Sequence, residues 1–187
     1  DHDGPDAAVI DGLDARRARS LERADLLAVQ AAAVRLRRRA DVALAVVAAE
    51  IARRSETVAG GGFARHAGFG SPEQLVSGQT GVGPAEARRL VEVGKVMAHA
   101  ESGEAEAFPV LAAAVREGRL STEYAAMIQR TLAAIPRDDT ELEARMVARA
   151  PGMSRRNVGK WCRWLRDKHD PAGVEERERA QRDQRYF

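Results

Sequence analysis

The 187 residues carry 44% hydrophobic and 31% charged side chains, a mix that argues for a folded globule and against a disordered chain. The net charge of +2 gives no general case for a nucleic-acid binder, and the single cysteine excludes an internal disulfide or a cysteine-based zinc site. Aromatics are only 4%, so the core must come from Ala, Leu, Val and Ile, a palette that suits closely approaching helices better than sheets.

The opening DHDGPDAAVIDGLD is acidic and polar, with no secretory pattern, and residues 1–14 are expected to be disordered or loosely attached. A helical stretch follows from about Ala15 to Arg54, broken or continuous near RLRRRAD. Arg37, Arg38 and Arg39 cannot share one helical face, which points to an exposed end or solvated turn. VALAVVAAEIA is apolar nearly all round and predicts a central buried helix. Its longest apolar run, Val42 to Ala49, is too short to cross a bilayer, so the expectation is a soluble, cytoplasmic chain with no membrane partner. SETVAGGGF reads as a loop, and GGGFARHAGFG as a hinge.

Ser71 followed by Pro72 predicts a capped helix start, and TGVGPAEARRLVEVGKVM a turn and a second Pro-initiated helix. FPVLAAAVREG and STEYAAMIQRTLAAI form a pair across Gly118, Arg119 and Leu120, with Ser121 as cap. TELEARMVARA and SRRNVGKWCRWLRDKH form another across Pro151, Gly152 and Met153, with Ser154 as cap. A small residue, a Gly four later and two inward residues beyond recur three times: Ser77, Gly81, Ala87, Leu90; Ala114, Gly118, Tyr124, Met127; Ala148, Gly152, Val158, Trp161. That is helix-turn-helix spacing, although any tight αα-hairpin meets it singly. The fold class is therefore all-α, a multi-helix bundle of helix-turn-helix-like hairpins over residues 15–170, with residues 171–187 a charged linker.

The three hairpins differ in what their second helix offers a groove. The middle one presents Ser121, Thr122, Ala125 and Ala126 with Glu123, no cation, and reads as structural. The first offers Arg88, Arg89 and Lys95 beside Glu86 and Glu92. The last presents Arg155, Arg156, Asn157, Lys160 and Arg163, within a segment, Arg145 to Asp170, that holds eight Arg or Lys against two Asp. Arg suits guanine and phosphate, Asn suits adenine, and Lys suits phosphate, so duplex DNA is the expected partner; the alternative is a solvated basic face. Trp161 and Trp164 read as core anchors rather than a base-stacking platform, and Cys162 as a small buried side chain. His2, His66, His99 and His169 are scattered, and neither a zinc-protease helix nor a phosphate-gripping loop is present. No catalytic residue, metal ligand or small-molecule substrate is indicated within the chain.

GFGSPEQLVSGQTGVGPAEARRLVEVGKVM, FPVLAAAVREGRLSTEYAAMIQRTLAAIP, MSRRNV and DPAGVEERERAQRDQRYF occur in one order, from about Asp25 to Phe187. In this the chain resembles the domain of unknown function 222, common in actinobacterial proteins with an HNH endonuclease domain downstream. The resemblance implies a parent that cuts DNA through a metal-dependent ββα unit beyond Phe187, where a divalent cation would be needed; this chain needs no cofactor of its own. It would then be a piece of a longer nuclease, which the start at Asp1 favours, or a relative that lost the nuclease. The rival expectation is an oligomerisation module, a homodimer joined through the Ala-rich helix from Ala24 to Ala52, with no nucleic-acid contact.

Overall fold

The computed structural model describes residues 5–56, 62–104, 107–135 and 141–169, and among these every regular element is helical. Helices α1 (Pro5–Ile10) and α2 (Ala15–Ser20) precede the long α3 (Arg23–Glu56), then α4 (Gly62–His66) and α5 (Pro72–Thr80). Helices α6 (Pro84–Ser102), α7 (Pro109–Arg116), α8 (Thr122–Leu132), α9 (Leu142–Arg149) and α10 (Arg155–His169) complete the bundle, with a 3₁₀ turn at Ala150–Gly152 between the last two. The all-α, multi-hairpin class expected from the sequence is the one observed.

The starts of these helices are local chemistry. Ser71 Oγ accepts from the Gln74 amide at 3.2 Å, and Ser121 Oγ from the Tyr124 amide at 3.3 Å. Phe108, ahead of α7, offers no capping side chain; instead Glu143 of α9 reaches across and accepts from the Leu111 amide at 2.7 Å. Gly81 and Gly118 end their helices at φ of 72° and 69°, a left-handed turn that a side chain would oppose.

The core lies around α6 and α8. Leu90, Val93 and Met97 of α6 and Ile128 of α8 are buried with Leu111 and Val115 of α7, Met146 of α9, and Val158 and Leu165 of α10. Helix α3 flanks this core rather than running through it. Ala45, Ala48, Ala49 and Ala52 are buried where α6 and α5 pack on α3, while Leu44 and Val47 stay exposed on the flank toward α4 and α5, Val47 to 56%, and Val46 stays exposed on the opposite flank beside Gly94. The all-round apolar segment is thus one-sided, because only methyl-sized groups fit where the two axes approach. Gly94 marks the closest point: a Cβ built there would sit 2.7 Å from Ala49 Cβ, and nearer still to the Ala45 carbonyl.

Other readings change as well. Of residues 1–14, expected to be loose, Pro5–Ile10 form a helix packed on α3, where Arg35 Nη2 donates to the Asp6 carboxylate at 2.6 Å. Asp14 caps α2 by accepting from the Arg17 amide. Arg37, Arg38 and Arg39 lie inside an unbroken α3, because successive residues diverge by about 100° and each can meet a different environment. Arg37 lies 3.8 Å from Asp41 and 4.0 Å from Glu86. Arg38 donates to the carbonyls of Gly118 and Arg119 at 2.8 and 3.2 Å, pinning the α7–α8 turn to α3. Arg39 is exposed and acts at longer range on Asp6. Gly62–His66, expected in a hinge, is a short helix on α3. Gly60 and Gly61, and the linker at 171–187, lie outside the described residues.

The internal repeat holds in two hairpins and shifts in the third. Ala87 and Leu90 are buried, Ala114 is buried at the α7–α8 crossing, and Tyr124 and Met127 pack half-buried. In the third, Ala148 is exposed and Ala150 takes the buried position, since the connection is a 3₁₀ turn rather than a left-handed glycine. Thr122, Ala125 and Ala126, expected on a presented face, are buried because α8 is surrounded by its neighbours.

Candidate nucleic-acid interface

Helix α10 opens at Ser154, whose Oγ accepts from the Asn157 amide at 3.3 Å and whose carbonyl accepts from the Val158 amide at 2.9 Å. Tyr124 of α8 fixes the approach to this start by donating its hydroxyl to the Met153 carbonyl at 2.9 Å. Val158, Cys162 and Leu165 bury one stripe of α10 against α8. The 3.6-residue repeat then sends the charged residues outward in two groups.

One group forms an outer ridge. Arg156, Lys160 and Arg163, at i, i+4 and i+7, are all exposed, and Asn157 is exposed beside them. Among the described residues no carboxylate lies within 4.0 Å of Arg156, Lys160 or Arg163. The second group turns toward α6 and α8 and lines a cleft of about 320 Å³. Arg155, Arg163 and Arg166 of α10 meet Arg89 of α6 and Arg130 of α8 there, with Glu123 the one carboxylate among the described residues. Met127, Thr131, Gly159 and Cys162 contribute the rest of its wall.

Arg155, expected as a free cation, donates through Nε to Glu123, and Arg89 Nη1 lies 3.9 Å from the same carboxylate oxygen. The Glu123 carboxylate holds the Arg155 guanidinium above its ordinary range. Arg130 anchors its Nε on the Ala126 carbonyl at 3.0 Å. Cys162 is buried, and that burial pushes its thiol up, against smaller opposing effects of the Thr131 hydrogen bond and the Arg166 and Arg130 charges.

The remaining expected residues scatter. Arg88 is exposed on α6, one position and about 100° round from Arg89. Lys95 lies two turns further on and bonds Glu56 of α3 at 2.8 Å, so it belongs to a different, charge-balanced surface. Trp161 packs against the core with the Arg149 guanidinium over its ring at 5.3 Å. Trp164, expected as a second anchor, is 56% exposed, with the Lys168 ammonium 5.4 Å from its ring centre; three residues on from Trp161, it has turned past the buried stripe.

Sequence reasoning missed Arg130, Arg166 and Glu123. Arg166 had a signal, since Arg155, Gly159, Cys162 and Arg166 follow helical spacing along one edge of α10. Arg130 and Glu123 had none, because their place depends on how α8 packs on α10.

Among the described residues no group of three His, Cys, Asp or Glu could hold a metal ion, and no helix is long and apolar enough to cross a membrane. The family described as domain of unknown function (DUF222) matches residues 27–187, and the chain belongs to it. No curated protein and no solved structure matches.

Proposed function

We propose that this DUF222 domain binds duplex DNA along the outer ridge of α10 and, in a cytoplasmic protein, positions it for an HNH-type nuclease unit of the same polypeptide. The observation that carries the reading is the ridge itself: Arg156, Lys160 and Arg163 are exposed and have no carboxylate partner among the described residues, and Asn157 stands beside them at the capped start of the helix. Arg and Lys grip phosphates, and Arg and Asn can fork onto guanine and adenine edges in a major groove. The nuclease unit, with its divalent metal, rests on the resemblance alone; the DNA contact rests on this face.

The test is a mobility shift on short duplex DNA at low salt with Arg156→Glu/Lys160→Glu. Both side chains are exposed, so the variant folds, and its affinity falls at least about tenfold. The parent's log affinity falls against log salt with a slope of about −0.9 per phosphate contacted. Binding equal to the parent's would remove this face from the role.

A second reading is favoured by one observation. One flank of α3 shows Leu44 and Val47, and Phe63 of α4 extends this apolar surface. A homodimer through that side would give an oligomerisation module; a stable dimer by light scattering, with no DNA affinity, favours it.

A further inference from the structure

We propose that the arginine cleft between α6, α8 and α10 is a seat for one phosphate group, held in the unliganded protein by Glu123 as an internal counter-anion that phosphate displaces. This goes beyond the DNA reading, since of the seat's five arginines only Arg163 is shared with the outer ridge, and the seat would serve a free phosphate as well as one on a strand.

The first ground is charge against shape. Among the described residues, five guanidiniums converge on a concavity of about 320 Å³ that holds one carboxylate. Arg155 is bonded to Glu123, and Arg89 stands 3.9 Å from it. Among the described residues Arg163 and Arg166 have no carboxylate within 4.0 Å, nor does Arg130. Among the described residues one carboxylate leaves an excess of four positive charges around the cleft, a field that draws anions.

The second ground is the kind of cation. All five are Arg, whose planar forks match tetrahedral oxyanions at two oxygens, and none is Lys. Arg130 is already oriented: its Nε is spent on the Ala126 carbonyl, and among the described residues its Nη groups have no carboxylate partner and face a ligand in the cleft. The convergence is felt inside the cleft too, where Arg130 and Arg166 both act on the Cys162 thiol.

The third ground is the rest of the wall. The Thr131 hydroxyl is committed to the Met127 carbonyl at 2.8 Å, and Met127 and Gly159 add no charge. Gly159 keeps the recess open; a Cβ there would meet Met127 Cε at 3.3 Å. Glu123, at the mouth of α8, sits where an incoming phosphate would replace two carboxylate oxygens by three phosphate oxygens. Its removal leaves the arginines free.

Calorimetric titration with pyrophosphate, at ionic strength matched with sodium chloride, tests the seat in three proteins. The parent binds saturably at one site, Glu123→Gln binds about tenfold more tightly, and Arg130→Gln/Arg166→Gln binds at least about tenfold more weakly. Arg130→Lys/Arg166→Lys keeps the charge without the fork and falls between. Circular dichroism verifies that each variant keeps its helices. The ridge variant Arg156→Glu/Lys160→Glu binds pyrophosphate nearly as the parent does, so loss of DNA affinity alone overturns the ridge and not the seat. A 5′-phosphorylated short duplex binding more tightly than its unphosphorylated counterpart assigns the phosphate to a strand end; equal binding assigns it to backbone or free phosphate, and both uphold the seat. No saturable binding by Glu123→Gln, or unchanged binding by both Arg130/Arg166 variants, overturns it.

Discussion

Replacing Gly94 by Ala probes the packing that sets the whole bundle. A methyl group there would lie 2.7 Å from Ala49 Cβ and closer to the Ala45 carbonyl, whereas carbon atoms rest about 3.5–4.0 Å apart. Relief therefore requires α3 and α6 to part by roughly 1 Å, loosening Ala45, Ala48, Ala49 and Ala52 together. Over-packing of this kind costs about 3 kcal/mol, and the better helix propensity of Ala returns about 1 kcal/mol, for a net loss of about 2 kcal/mol. In a chain of this size that lowers the melting temperature by about 4–8 °C. Thermal and urea unfolding followed by circular dichroism measure it, with an unchanged urea slope showing that the unfolded ensemble is the same. Pairing the change with Ala49→Gly restores only part, because the Ala45 obstacle is main chain. A Gly94→Ala protein that melts at or above the parent would refute the close approach.

Glu50 takes hydrogen bonds from Arg53 and Arg54, which hold its carboxyl at about 2, below its ordinary 4.5. The fork's contribution to stability is therefore complete above pH 4.5 and lost as pH falls toward 2; a carboxyl-carbon NMR titration reads the midpoint, and Arg53→Gln/Arg54→Gln returns it toward 4.5. Ser154→Ala removes the cap of α10 and costs about 1 kcal/mol in urea unfolding, whereas Ser154→Asp keeps most of it. Cys162, buried and with its thiol pushed up, reacts with a disulfide reagent slowly in the native protein and rapidly in denaturant. Rapid native labelling would contradict that burial.

The helix starts were legible because their signals are local: Ser71 before Pro72, Pro84 after a glycine, Ser121 and Ser154 as caps. The orientation of α3 was hidden, since a segment apolar on every side gives periodicity nothing to resolve, and the size preference of its inner side is set by Gly94 on another helix. The two-part division of α10 was partly legible from its spacing. The pairing of Arg155 with Glu123, 32 residues earlier, depends on tertiary packing, as does the arrival of Arg130. The third hairpin misled because its sequence contains a glycine at the expected place, yet the chain turns through Ala150–Gly152 in 3₁₀ form without the left-handed angle.

The arrangement of α3 has a consequence for how the chain tolerates change. Most helices fail when their bulky side chains are trimmed and forgive alterations to their alanines. Here the usual ranking is turned inside out: Leu44, Val46 and Val47 can shrink with little harm to the monomer, while Ala45, Ala48 and Ala52 have no room to grow. Change along this helix is thus confined by its smallest residues rather than its largest.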